Sequence, residues 1–126
     1  MSNQSGVLYM VATPIGNLED MTPRAVRILS EADLIAAEDT RNSAKLLKHF
    51  GIGTKTVAVH EHNEREQVPR LVDFLKRNKS IAFITDAGTP LLSDPGYLLV
   101  RAARDAGLRV VPLPGACAAI AALSAA

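Results

Sequence analysis

Short runs of consecutive apolar residues alternate along this chain with stretches in which apolar residues recur every three or four positions. Val7 to Ala12 is the first run and reads as a strand. Met21-Thr22-Pro23 then reads as a helix start, with Thr22 as N-cap and Pro23 in the first turn. Ala25, Ile28, Leu29 and Ala32 follow at the spacing of one buried helix face. Leu34 to Ala37 is a second strand. Asp39 or Thr40 caps a helix that runs to about His49, and Gly51 and Gly53 end it. Thr56 to His60 is a third strand. Asn63 and Glu66 have the spacing of a capping box, and Val68, Leu71, Val72 and Leu75 give the apolar face of the next helix. Ile81 to Thr85 is a fourth strand. Leu99, Ala102, Ala103 and Ala106 line a fourth helix, which Gly107 closes, and Arg109 to Leu113 is a fifth strand. Pro114-Gly115 turns into an alanine-rich stretch without a stop signal, which predicts a helix that continues into a further domain.

Strand and helix thus alternate five times. This predicts an α/β fold with an open, mainly parallel five-stranded sheet and helices on both faces. Met1 to Gly6 is polar and reads as a loose tail, with one domain from residue 7 to 126. Apolar residues make up 48% of the 126 and charged residues 21%, an ordinary globular balance. The net charge is +1, so no global field advertises a polyanionic partner, although a local basic patch fits within that total. A single cysteine, Cys117, excludes an intramolecular disulfide. With no apolar run long enough for a membrane span, the expectation is a cytoplasmic protein.

The candidate chemistry lies in loops that follow strands. Ile84 to Gly96 leaves a β-branched run and carries two carboxylates, two glycines and two prolines before Asp94-Pro95 opens a helix. Ala12 to Asp20 and Pro112 to Cys117 are similarly rich in turn residues. In a parallel sheet all three lie on the carboxyl edge, where open α/β sheets bind ligands. Each loop read alone is equally explained as a tight turn. No G-x-G-x-x-G fingerprint follows the first strand, and Gly51 to Thr56 has the wrong spacing for a phosphate loop. Glu38 and Asp39 follow the second strand and suit either acid–base chemistry or helix capping. Arg41, Lys45 and Lys48 recur at i, i+4 and i+7, as a solvated face or a phosphate-binding stripe. His60-Glu61-His62-Asn63 lacks a third metal ligand and reads as a hydrogen-bonded turn.

Leu8 to Asp20, Ala36-Ala37-Glu38-Asp39-Thr40-Arg41, His60 to Glu64 and Thr85 to Gly96 together resemble the tetrapyrrole (corrin/porphyrin) methylase superfamily. Within it they are similar to the branch that methylates the ribose 2′-hydroxyl of small-subunit ribosomal RNA. The resemblance runs from Val7 to the last residue. It implies S-adenosylmethionine as donor, a cytidine ribose as acceptor, the small ribosomal subunit as partner, a two-domain chain and a homodimer. By motif it implies donor contacts at Pro14, Ile15 and Gly16, at Asp86, Gly88, Thr89 and Pro90, and at Cys117 and Ala118. The family more often has Pro-Gly-Pro-Ser-Ala where this chain has Pro-Gly-Ala-Cys-Ala, and a thiol is the poorer hydrogen-bonding side chain. Two other functions remain open: methylation of a tetrapyrrole precursor, and a non-catalytic nucleotide-binding module.

Overall fold

The computed structural model describes residues 6–13, 21–86 and 95–113. Five strands, β1 (Val7–Thr13), β2 (Leu34–Ala37), β3 (Thr56–Ala58), β4 (Ser80–Asp86) and β5 (Arg109–Leu113), alternate with four helices. These are α1 (Pro23–Glu31), α2 (Thr40–His49), α3 (Glu64–Lys76) and α4 (Pro95–Asp105). The strands pair in parallel throughout, in the order β3-β2-β4-β1-β5. The expected parallel sheet is therefore present.

Side-chain alternation along the strands divides the core in two. Val11, Ile35, Ala82 and Ile84 face one way and pack against Ala25 and Leu29 of α1 and Leu46 and Leu47 of α2. Leu8, Ala36, Ile81 and Phe83 face the other way and pack against Leu71 and Leu75 of α3 and Leu99 and Ala103 of α4. Ile81 to Ile84 are all buried, as a central strand covered on both faces requires.

The helix ends follow local chemistry closely. Thr22 Oγ1 accepts from Ala25 N at 3.1 Å, with Pro23 opening α1 as expected. After α2, Gly51 at φ 67° lets its N–H reach Lys48 O and Ile52 N reach Leu47 O. After α4, Gly107 at φ 77° supports the same pair of bonds, to Arg104 O and from Leu108 N to Ala103 O. Asn78 takes the equivalent left-handed position after α3. At the amino edge of the sheet, Asp33 Oδ2 accepts from Ser80 N at 2.8 Å and ties β2 to β4.

Four details differ from the sequence reading. Asn63 stands at the N-cap of α3 but makes no capping bond. Its Oδ1 instead accepts from His60 N at 2.8 Å and its Nδ2 donates to Ala58 O at 3.0 Å, so no capping box forms. The same turn draws His60 out of β3, which ends at Ala58 rather than His60. Ala106 lies beyond the end of α4 and is exposed, because the glycine stop falls one residue later. Gly6, at the end of the segment read as a tail, is buried against the carbonyls of Leu75 and Lys79.

Candidate functional site at the carboxyl edge

The ends of three strands meet at one edge. Thr13, the last residue of β1, is paired with Asp86, the last of β4, and Val11 is paired with Leu113, the last of β5. All three suspected loops therefore leave from neighbouring strands. The connection from β4 leads to α4 on one face, while those from its neighbours β1 and β2 lead to α1 and α2 on the other. Adjacent strands with oppositely directed connections are where open sheets form ligand crevices.

A cleft of about 260 Å³ opens there on the α4 face. Met10, Ala12, Val110 and Pro112 form its floor, and Tyr97 and Val100 of α4 form its wall. These strand residues share one parity, so the pleat turns them all to the same side. The lining is almost wholly apolar, with Arg104 and Thr85 as its polar members. Its apolar floor suits an uncharged, flat portion of a ligand. A loop-centred reading of the sequence misses Tyr97 and Val100. Parity along β1 and β5 groups Met10, Ala12, Val110 and Pro112 on one face only once the two strands are known to pair.

Of the residues expected to contact the ligand, Asp86 lies at the end of β4 on this edge. Pro14, Ile15, Gly16, Gly88, Thr89, Pro90, Cys117 and Ala118 lie outside the described residues.

Glu38 and Asp39 follow β2 on the same edge, and both are exposed. Asp39 is the N-cap of α2. Its Oδ1 accepts from Arg41 N at 2.9 Å and Asn42 N at 3.4 Å, and its Oδ2 accepts from Asn42 Nδ2 at 3.3 Å. That carboxylate is occupied on both oxygens by its own helix. Arg41, Lys45 and Lys48 are exposed on the side of α2 opposite the buried Ser43, Leu46 and Leu47. In the turn after β3, His60 Nδ1 accepts from His62 N at 3.2 Å, the hydrogen-bonded arrangement expected there. Among the described residues, no helix is long and apolar enough to cross a membrane.

Known proteins share both the sequence and the fold. The family model of tetrapyrrole (corrin/porphyrin) methylases matches residues 7–126. A protein of Haemophilus influenzae named ribosomal RNA small subunit methyltransferase I is 60% identical over 99% of this chain and 44% of its own length. Its namesake from Pseudomonas aeruginosa is 60% identical over 97% of the chain and 43% of its own length. The chain thus spans somewhat under half the length of these relatives. Among solved structures, uroporphyrin-III-C-methyltransferase from Thermus thermophilus has a TM-score of 0.68 at 20% identity, covering 89% of this chain and 48% of that one. Diphthine synthase has a TM-score of 0.69 at 17% identity, covering 87% and 44%. At such identities the structures support the fold alone.

Proposed function

The chain belongs to the tetrapyrrole (corrin/porphyrin) methylase family, and from that premise we propose that it is the N-terminal part of a two-domain, S-adenosylmethionine-dependent methyltransferase acting on small-subunit ribosomal RNA. The acceptor in this reading is a cytidine ribose 2′-hydroxyl. The observation that carries it is the 60% identity, over nearly the whole chain, to relatives named for that RNA. The working protein is a homodimer in the cytoplasm, where its ribosomal substrate is found.

The cleft supports the choice of donor. Its apolar floor and aromatic wall match the uncharged faces of an adenosyl group. Its volume of about 260 Å³ is smaller than the roughly 300–1,000 Å³ of a complete small-molecule site. It accordingly holds part of the donor, and a second domain supplies the other wall. When bound, S-adenosylmethionine supplies an activated methyl on a sulfonium. The chain's own contribution is chiefly to hold the reactants in line, which alone lowers a displacement barrier substantially. Asp39 fixes the start of α2 and so positions the backbone beside it. Glu38, at the carboxyl end of β2, takes the proton from the ribose hydroxyl, and Arg41, Lys45 and Lys48 contact RNA phosphates.

Two measurements test this reading. Methyl transfer by the full-length protein is assayed on small ribosomal subunits and, in parallel, on precorrin substrates. Transfer to RNA is expected, and activity confined to the tetrapyrrole would reject the proposal. Calorimetry with S-adenosylmethionine compares residues 1–126 with the full-length protein. The shorter chain is expected to bind weakly and to be inactive, and equal, tight binding by both would reject the shared cleft.

A further inference from the structure

Positive charge is concentrated on one side of the sheet. α1 and α2 together carry Arg24, Arg27, Arg41, Lys45 and Lys48 against one acid, Glu31. α3 and α4 carry five cations against four acids, close to neutrality. All five cations of the α1/α2 layer are exposed. Arg27 lies across α1 from the buried Ala25 and Leu29, and Lys45 lies across α2 from Leu46 and Leu47, so both face away from the sheet. Among the described residues none of the five makes an ion pair, whereas Arg77 beside α3 binds Asp73 at 2.7 Å.

The placement of two of them runs against local electrostatics. Arg24 and Arg41 sit in the first turns of α1 and α2, where the helix dipole disfavours a cation; the first turn of α1 contains no acid, and that of α2 has only its N-cap, Asp39, whose carboxylate is held by the backbone and by Asn42. α3 shows the ordinary arrangement, with Glu64 and Glu66 in its first turn. α2 begins three residues after β2 ends, so its first turn lies at the carboxyl edge of the sheet. α1 ends three residues before β2 begins, so its first turn also points toward that edge. The two arginines therefore lie at the carboxyl end of the layer, the end at which Glu38 follows β2, and Arg27, Lys45 and Lys48 continue the charge down the same outer face.

We infer that the outer face of the α1/α2 layer, Arg24 and Arg27 included, is the track for the phosphate backbone of the RNA; this rests on the ribosomal-RNA reading above. Exposed cations without an ion-pair partner among the described residues, two of them in helix first turns, are satisfied by an external anion. A row of them fits a polyanion, giving affinity and orientation without reading sequence. The RNA and the donor then approach from opposite faces of the sheet and meet at the carboxyl edge. RNA follows the α1/α2 face, and the donor occupies the cleft beneath α4.

The test uses full-length protein with Arg24→Gln, Arg27→Gln, Lys45→Gln and Lys48→Gln combined. Its dissociation constant for a small-subunit ribosomal RNA fragment is measured across a salt series, and S-adenosylmethionine binding is measured by calorimetry. Each lost phosphate contact lowers the log–log salt slope by about 0.7, so a fall of about three is expected, with at least 100-fold weaker binding at low salt. Donor affinity is expected to stay within about two-fold, as this face does not line the cleft. Arg70→Gln with Lys76→Gln, on α3, is expected to leave the slope unchanged. Single Arg27→Gln and Lys48→Gln variants, each expected to lower the slope by about 0.7, serve if the fourfold variant folds poorly. A wild-type slope in the fourfold variant, in a protein that binds and methylates this RNA, would overturn the track and leave the proposed function standing. Weaker binding to whole subunits with an unchanged slope on naked RNA would assign the face to an acidic protein, and also overturn it. A wild-type protein that neither binds nor methylates the RNA would overturn both readings.

Discussion

Replacing Asp39 separates a structural carboxylate from a catalytic one. Its three hydrogen bonds, at 2.9, 3.4 and 3.3 Å, all remain within the first turn of α2. Asparagine retains an acceptor oxygen and caps helices about as well as aspartate, so Asp39→Asn sacrifices the favourable charge at the helix start, about 0.3–1 kcal/mol, and the exposed 3.3 Å bond from Asn42 Nδ2. Alanine removes the cap altogether, at about 0.5–2 kcal/mol. The residue is exposed, so no cavity cost is added. With a urea slope of about 1–3 kcal/mol per molar, a 1 kcal/mol loss moves the unfolding midpoint by roughly 0.3–1 M. The stability order is therefore wild type, Asp39→Asn, Asp39→Ala. Methyl transfer by full-length protein is expected to be nearly wild-type in Asp39→Asn. Glu38→Gln, by contrast, is expected to lose the roughly 100- to 10,000-fold that a general base contributes. A loss of that size in Asp39→Asn without loss of stability would refute the reasoning and make Asp39 the base.

Three further outcomes follow from the packing. Gly6→Ala is expected to destabilise by about 1–3 kcal/mol in denaturant melts, since its Cβ would meet the carbonyls of Leu75 and Lys79, whereas Gly53→Ala has open space and is expected to stay within about 0.5 kcal/mol. Phe83→Ala, which empties a position only 1% exposed beneath α3 and α4, is expected to cost about 3–5 kcal/mol in the same assay. Ala12→Leu is expected to fill part of the cleft floor and weaken S-adenosylmethionine binding to full-length protein by at least about tenfold in calorimetry, with RNA affinity unchanged.

Elements whose signals are local were legible from the sequence almost to the residue. Thr22-Pro23 fixed the start of α1, and Gly51 and Gly107 fixed two helix ends, because caps and left-handed turns depend only on nearby backbone. The course of Asn63 was not legible. Its side chain has two competing uses, capping α3 or holding the strand end, and the choice depends on where Ala58 and His60 lie. The same limit applies to the site. Residue type drew attention to the loops and to Asp39. The floor of the cleft needed the pairing of β1 with β5, which brings Met10 beside Pro112 across a separation no local pattern encodes.

The strand order has a consequence for the sequence of events during synthesis. β1 leaves the ribosome first, yet both of its neighbours, β4 and β5, are made last. Val7 finds its first partner, Ser80, only after about seventy more residues are translated, roughly 4–15 s at ordinary elongation rates. Through that interval β2 and β3 form the only pairing available among the described strands, while the apolar run at Leu8 and Val11 waits for its partners. In the nascent chain β1 gains a strand to pair with only once β4 has been made. A ribosome stalled before Ser80 would display β1 as an adhesive segment, the kind that holding chaperones take up.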